Sequence, residues 1–180
     1  MRRMPKYRIA AVLLAAVVVA GCFPSAQSLS EPEQTQFSAE EPDAKHPVPV
    51  PDAALAVLRS DKRVVDSMES EEPPLKTPPQ SWFSASILHL GSRDEQDLIV
   101  IGLDHLAGAH SVPFWILRPT STGYNLVLRT QGHDLEVKRH HAKGFRDIEA
   151  SDESAATFMS VIYRFDGEKY VQFKDKSKGL

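Results

Sequence analysis

The sequence predicts an α+β fold that is mainly β, with antiparallel hairpins in one sheet or a small sandwich or barrel and one covering helix before them. From about residue 81 apolar and polar residues alternate, and turn signals recur roughly every 8 to 12 residues. The segment before residue 70 instead shows helical spacing. No helix-length segment separates the predicted strands, which argues against parallel β-α-β units.

The predicted helix spans about residues 53–69, with Asp52 as its candidate N-cap. Its apolar face is formed by residues spaced three or seven apart: Leu55, Leu58, Val65 and Met68. A proline-rich linker over about residues 70–80 ends the helix. We expect the apolar face to cover an open face or edge of the sheet.

The β domain is predicted over about residues 81–175. Strands are expected at 82–90, 97–103, 112–118, 123–129, 134–140, 144–149, 157–165 and 169–174. Asp166-Gly167 fits a type I′ hairpin turn, and Thr122-Gly123 marks another turn. A domain of this length can bury a core of its own.

The amino terminus has the layout of a secretory signal peptide, predicted over residues 1–21. Four basic residues precede an apolar stretch at residues 9–20 that contains no charge. A spanning helix needs about 20 apolar residues, so this stretch is too short to serve as a membrane anchor.

The residues Val19 to Cys22, VAGC, resemble a bacterial lipobox. That resemblance implies cleavage between Gly21 and Cys22 and a lipoprotein whose cysteine carries fatty acyl chains, which give stable anchoring when two or more are present. Phe23, where an aspartate would resemble an inner-membrane retention signal, favours the outer membrane facing the periplasm. The alternative is a buried thiol; a disulfide within the chain is excluded because the chain has a single cysteine.

Residues 22–51 are predicted to form a lipidated, disordered tether, and residues 52–180 the folded domain. The tether segment is rich in proline and acidic residues and poor in apolar groups. The alternative is that it packs on the domain.

The segments SWFSASILHL, DLIVIG, GFRDIEA and VIYRFDGEKY resemble bacterial envelope lipoproteins with a small β domain after a helix. The resemblance covers about residues 52–173 and implies no assigned activity. DLIVIG also bears a weaker likeness to FG-GAP hairpins, which implies a calcium loop before it. Only Asp94, Glu95 and Asp97 offer oxygens there, whereas calcium takes six to eight, so a solvated acidic turn is expected.

Histidines are frequent in the β domain, and His105 and His110 are the candidate metal ligands. They show no tight metal-binding signature, and His140 and His141 on one strand would point to opposite faces. We therefore expect no metal and no cofactor.

The chain has no G-x-S-x-G nucleophile motif. Ser111, His133 and Asp147 could be drawn together as a triad, but no spacing singles them out, so no catalytic residue is predicted. Arg146 and Asp147 are expected to form a structural turn or a cross-strand ion pair.

Trp82 and Trp115 are expected to be core aromatics at hairpin starts; the alternative is that one ring is exposed and serves a binding groove, with an apolar or aromatic patch beside it. Nucleic acid is excluded as a partner because the net charge is −3 and no basic stripe is present. The lysines between residues 174 and 178 are interpreted as a solvated end.

These features predict a lipid-anchored envelope protein that acts as a non-catalytic interaction or structural module. Its partners would be the membrane, through the lipid, and an envelope protein or cell-wall component. The alternative is a periplasmic inhibitor or ligand-binding protein, for example one that blocks a wall hydrolase. A hydrolase or a metal-binding protein would require a deep pocket where histidine and carboxylate converge.

Overall fold

The computed structural model describes residues 32–91, 94–153 and 155–179. The predicted signal peptide and the lipidation site at Gly21 and Cys22 lie outside the described residues. Within the described part of the chain, no helix is long and apolar enough to cross a membrane.

Two α-helices and nine β-strands follow one another in the described chain, with short 3-10 turns at Gln80–Trp82 and Asp104–Leu106. The helices are α1 Asp52–Leu58 and α2 Lys62–Ser70. The strands are β1 Gln36–Ser38, β2 Phe83–Leu88, β3 Asp97–Gly102, β4 Val112–Thr120, β5 Gly123–Gly132, β6 Asp134–Ala142, β7 Phe145–Glu153, β8 Thr157–Phe165 and β9 Tyr170–Gly179.

The strands form two sheets, in the orders β1-β6-β7-β8-β9 and β2-β3-β4-β5. Every pairing between neighbours is antiparallel. The prediction of an α+β, mainly β fold built from antiparallel hairpins is confirmed.

The fold has three layers, with the four-stranded sheet in the middle. One core lies between the two sheets and includes Phe114, Ile116, Leu135 and Ile148. The other lies between the helices and the opposite face of the four-stranded sheet. β3 is therefore buried on both faces, which explains its uninterrupted apolar sequence.

The predicted single helix is in fact two helices. Asp61 adopts an extended backbone conformation and its side chain accepts a hydrogen bond from the Arg63 backbone N–H at 2.9 Å, so it caps α2. The break shifts the buried face, and Val64 rather than Val65 is fully buried. Asp52 is the first residue of α1 and makes no cap, because Pro51 occupies the capping position.

Residues 32–51 differ from the predicted tether, because they contact both sheets. β1 pairs with β6, and Phe37 is 3% exposed in the core between the sheets. Along the edge strand β2, Ala85 accepts a hydrogen bond from the Val48 backbone N–H at 2.9 Å. Proline and charged residues lower the average apolar content of this segment. Its few apolar side chains, and the open edges of the two sheets to which it bonds, are nevertheless enough to hold it on the domain.

The predicted two-residue turn at Asp166-Gly167 is a four-residue loop from Asp166 to Lys169. The Asp166 carboxylate accepts the backbone N–H groups of Glu168 and Lys169 at 2.8 and 2.9 Å. Gly167 has a φ of +119°, a conformation that glycine adopts without strain. The loop fixes the position of β9, the last strand of the five-stranded sheet.

Candidate functional site

Both tryptophans are buried in the core beneath the helices. Trp82 is 4% exposed, and its ring stacks on that of His105 with a centroid distance of 5.1 Å. Trp115 is fully buried. Of the two alternatives for these tryptophans, both rings are core aromatics and neither is exposed, because the helices cover this face of the sheet.

Asp61 joins the helices to the sheet. Its carboxylate accepts hydrogen bonds from Trp115 Nε1 at 3.0 Å and Arg129 Nε at 2.5 Å. Burial alone would raise the pKa of Asp61, but the hydrogen bonds from Trp115, Arg129 and the Arg63 backbone outweigh it and hold this pKa below its usual range. The hydrogen-bonding groups of this cluster are paired with one another, so the cluster has a structural role.

The candidate metal ligands occupy unrelated surroundings. His105 Nδ1 lies 3.2 Å from Glu71 Oε1, and His110 is exposed to solvent. In the ranges that the structure describes, no group of three or more His, Cys, Asp or Glu side chains could hold a metal ion.

The three residues considered as a triad have different partners. His133 Nδ1 lies 3.1 Å from Asp134 Oδ2. Asp147 accepts from Arg164 Nη2 at 3.0 Å, whereas Ser111 Oγ is buried and has no hydrogen-bond partner among the residues that the structure describes. The structure gives none of them a contact with another member of the set.

Arg146 and Asp147 each bind groups of a neighbouring strand. Arg146 donates to the carbonyls of Lys138 and Val137 at 2.9 and 3.0 Å, where the pairing of β6 with β7 is irregular. Asp147 pairs with Arg164 on the neighbouring strand β8. The expected cross-strand ion pair is thus present for Asp147.

Asp97, considered as a calcium ligand by the FG-GAP likeness, is buried inside the protein. Its Oδ1 accepts from Arg118 Nε at 2.9 Å, and burial raises the pKa of this carboxyl despite the arginine. The Arg118 guanidinium carbon lies 4.2 and 4.7 Å from the ring centres of Phe145 and Phe165. The Asp97 carboxylate is thus fully buried and held by Arg118, and it is not exposed in the acidic turn where a calcium ligand was considered.

A groove of about 500 Å³ lies where residues 34–45 meet the outer face of the five-stranded sheet. Several carboxylates line it, and they are Glu41, Asp43, Asp134, Glu136 and Glu149. Lys138 neutralises two of them, with Nζ 2.8 Å from Glu136 Oε2 and 2.9 Å from Glu149 Oε2. Burial alone would raise the pKa of Glu149, but the hydrogen bonds from Lys138 and Ser160, together with the charges of Lys138 and Lys176, outweigh it and lower this pKa.

β9 is exposed along almost its whole length. All of its residues except Tyr170 are exposed, over ten residues. Four large apolar side chains of the described chain are strongly exposed, and three of them lie on the β8–β9 hairpin: Met159 at 51%, Val171 at 38% and Phe173 at 55%. The Arg164 guanidinium carbon lies 3.5 Å from the Phe173 ring centre. Exposed apolar groups are thus concentrated on one hairpin.

The lysines of β9 form a row. Lys174, Lys176 and Lys178 pair with Ile162, Ser160 and Phe158 of β8, and alternate residues of a strand share one face. None of the three forms an ion pair with a described residue. The sequence shows that these lysines occupy alternate positions. That they lie on an edge strand depends on the order of the strands in the sheet.

No protein-family model matches the chain, and no curated protein or solved structure shows significant similarity to it.

Proposed function

We propose that this protein is a lipid-anchored component of the bacterial cell envelope whose folded domain acts as a non-catalytic interaction module. The anchor is inferred from the apolar stretch at residues 9–20 and the lipobox-like sequence ending in Cys22. With Phe23 after the cysteine, the lipid would lie in the outer membrane with the domain in the periplasm.

The observation that carries the interaction role is the exposed β8–β9 hairpin. It combines apolar side chains with a ten-residue strand that pairs on one side only among the described strands. The ionisable clusters around Asp61, Asp97 and Asp147, in contrast, are neutralised by arginines that hold structural elements together. A polypeptide partner at β9 is therefore favoured over chemistry at these clusters.

The anchor is tested by replacing Cys22 with serine in the producing bacterium. Acylation should disappear, the mass should fall by that of the lipid, and the chain should leave the membrane fraction. An unchanged mass and an unchanged membrane fraction would exclude the lipoprotein assignment.

The interaction is tested by photo-crosslinking in cells, with a photoreactive amino acid at position 171 or 173. Position 122, in the exposed turn between β4 and β5, is the matched control. Adducts with another polypeptide should form from β9 and not from the control. Equal yields at all three positions would contradict the proposal.

A further inference from the structure

The free edge of β9 has the backbone geometry for adding a strand. β9 pairs with β8 from Tyr170 to Gly179, and no other described strand lies along its second edge. In an antiparallel pair every second residue turns its N–H and C=O groups away from the partner. Those groups can bind an extended polypeptide through main-chain hydrogen bonds.

The charged side chains along the edge of β9 determine which polypeptide segments can pair with it. Lys174, Lys176 and Lys178 lie on one face at alternate positions, and Asp175 is the one acidic residue of the strand. Directly opposite side chains on paired strands approach to about 5 Å, so carboxylates at alternate positions of an added strand would face these lysines.

The same charges disfavour a second copy of this chain as the occupant. Two β9 strands paired edge to edge would bring the lysine rows together, and like charges across a strand pair are destabilising. Edge lysines are a known device against such self-pairing.

Beside the lysines, the edge has an apolar portion. Val171 and Phe173 are exposed in its first half, and Arg164 covers one face of the Phe173 ring. An added strand with an apolar residue next to its carboxylates could bury part of this surface.

We propose that β9 binds an extended acidic polypeptide segment by strand addition, with alternating carboxylates opposite Lys174, Lys176 and Lys178 and an apolar residue beside Phe173. This inference rests on the proposed interaction function and names the chemistry of its partner.

The proposal is tested with the full chain in detergent and a labelled peptide of alternating glutamate and valine that ends in leucine. Fluorescence anisotropy should show saturable binding that weakens with salt. Reversing the edge charges with Lys174→Glu, Lys176→Glu and Lys178→Glu should weaken binding about tenfold or more and create binding to the peptide with lysine in place of glutamate.

The matched control is Arg59→Glu, Lys62→Glu and Lys76→Glu, which changes the net charge equally at exposed basic residues of the helices and the linker after them. It should bind the acidic peptide as the parent does. Equal weakening in both triple variants would overturn the site, because it would show a response to net charge alone.

Hydrogen exchange distinguishes strand addition from surface attraction. The peptide should slow exchange at the alternate backbone amides between residues 171 and 178 that point away from β8, and binding without this protection would overturn strand addition. Sedimentation showing dimers that β9 substitutions abolish would identify a second copy as the occupant instead. Crosslinking from β9 in cells without acidic-peptide binding would overturn this inference while leaving the proposed function standing.

Discussion

Arg146 and Glu33, 113 positions apart in the chain, form an ion pair with 2.8 Å between Nη1 and Oε2. The other oxygen of Glu33 accepts the His89 backbone N–H at 2.5 Å. The carboxylate thereby joins the segment before β1 to both sheets, since His89 follows β2 and Arg146 lies on β7.

Replacing Glu33 with glutamine should weaken the docking of β1. The charge-assisted bonds are lost while the side-chain size is kept, so the free energy of unfolding should fall by about 1 to 2 kcal/mol. Hydrogen exchange should also quicken at the Val137 N–H, which donates to the Thr35 carbonyl at 2.8 Å. Denaturant unfolding of the exposed control Glu41→Gln should match the parent, and equal losses in the two variants would contradict this role.

Replacing Asp61 with alanine should be strongly destabilising. The substitution removes the α2 cap and leaves the Trp115 indole N–H buried without an acceptor. We expect a loss of about 3 kcal/mol in the free energy of unfolding. The control Asp66→Ala removes an exposed pair with Lys62 and should cost less than about 1 kcal/mol. A similar cost for both would show that the Asp61 cluster is dispensable.

His133 should make stability depend on pH near neutrality. The hydrogen bond with Asp134 raises the pKa of His133; burial opposes the shift, while Glu40 and Glu153 add to it. Because the folded pKa lies above the unfolded value, this stabilisation is complete below the unfolded pKa of about 6.5 and is lost as pH rises through the folded pKa.

The measurement is the free energy of unfolding of the parent and His133→Gln across this pH range. The difference between the two should shrink as pH rises. Asp134→Asn, which keeps the imidazole and removes its main partner, should flatten the parent's slope in the same way. A constant difference across the range would contradict the assignment.

Phe173 and Phe165 should respond differently to replacement by alanine. Phe165 is 4% exposed in the core between the sheets, so its loss should cost about 3 to 5 kcal/mol. Phe173 is 55% exposed and contacts Arg164, and its loss should cost about 1 kcal/mol or less. Thermal unfolding measures both, and a core-sized loss for Phe173 would show that β9 is not an open surface.

The alternation of side chains predicted most of the strands because one-sided burial has a period of two along a strand. The expected strand at 134–140 lies within β6, Asp134–Ala142, and the expected strand at 157–165 is β8 with the same bounds. The helix prediction was less accurate, because the seven-residue spacing from Leu58 to Val65 also fits one continuous helix. Asp61 divides this stretch into two helices by accepting the Arg63 backbone N–H. Residue spacing does not reveal that contact.

For the candidate site, the sequence provided the residue types but not their exposure. The tryptophans were candidates for a binding patch because aromatic rings serve both cores and interfaces. Their burial depends on the helices, which cover the four-stranded sheet. The alternating lysines were visible in the sequence, yet a solvated end and a sheet edge have the same pattern.

The sequence by itself determined the local properties of the chain: the period of each strand, the turn at Asp166 and the lipobox-like segment on which the anchor proposal rests. Only the tertiary structure decided that β1 pairs with β6, that Trp115 meets Asp61 and that β9 ends its sheet with no further strand beside it among the described residues. These outcomes depend on contacts between residues far apart in the chain, whose pairing is set by the packing of two sheets and two helices around shared cores.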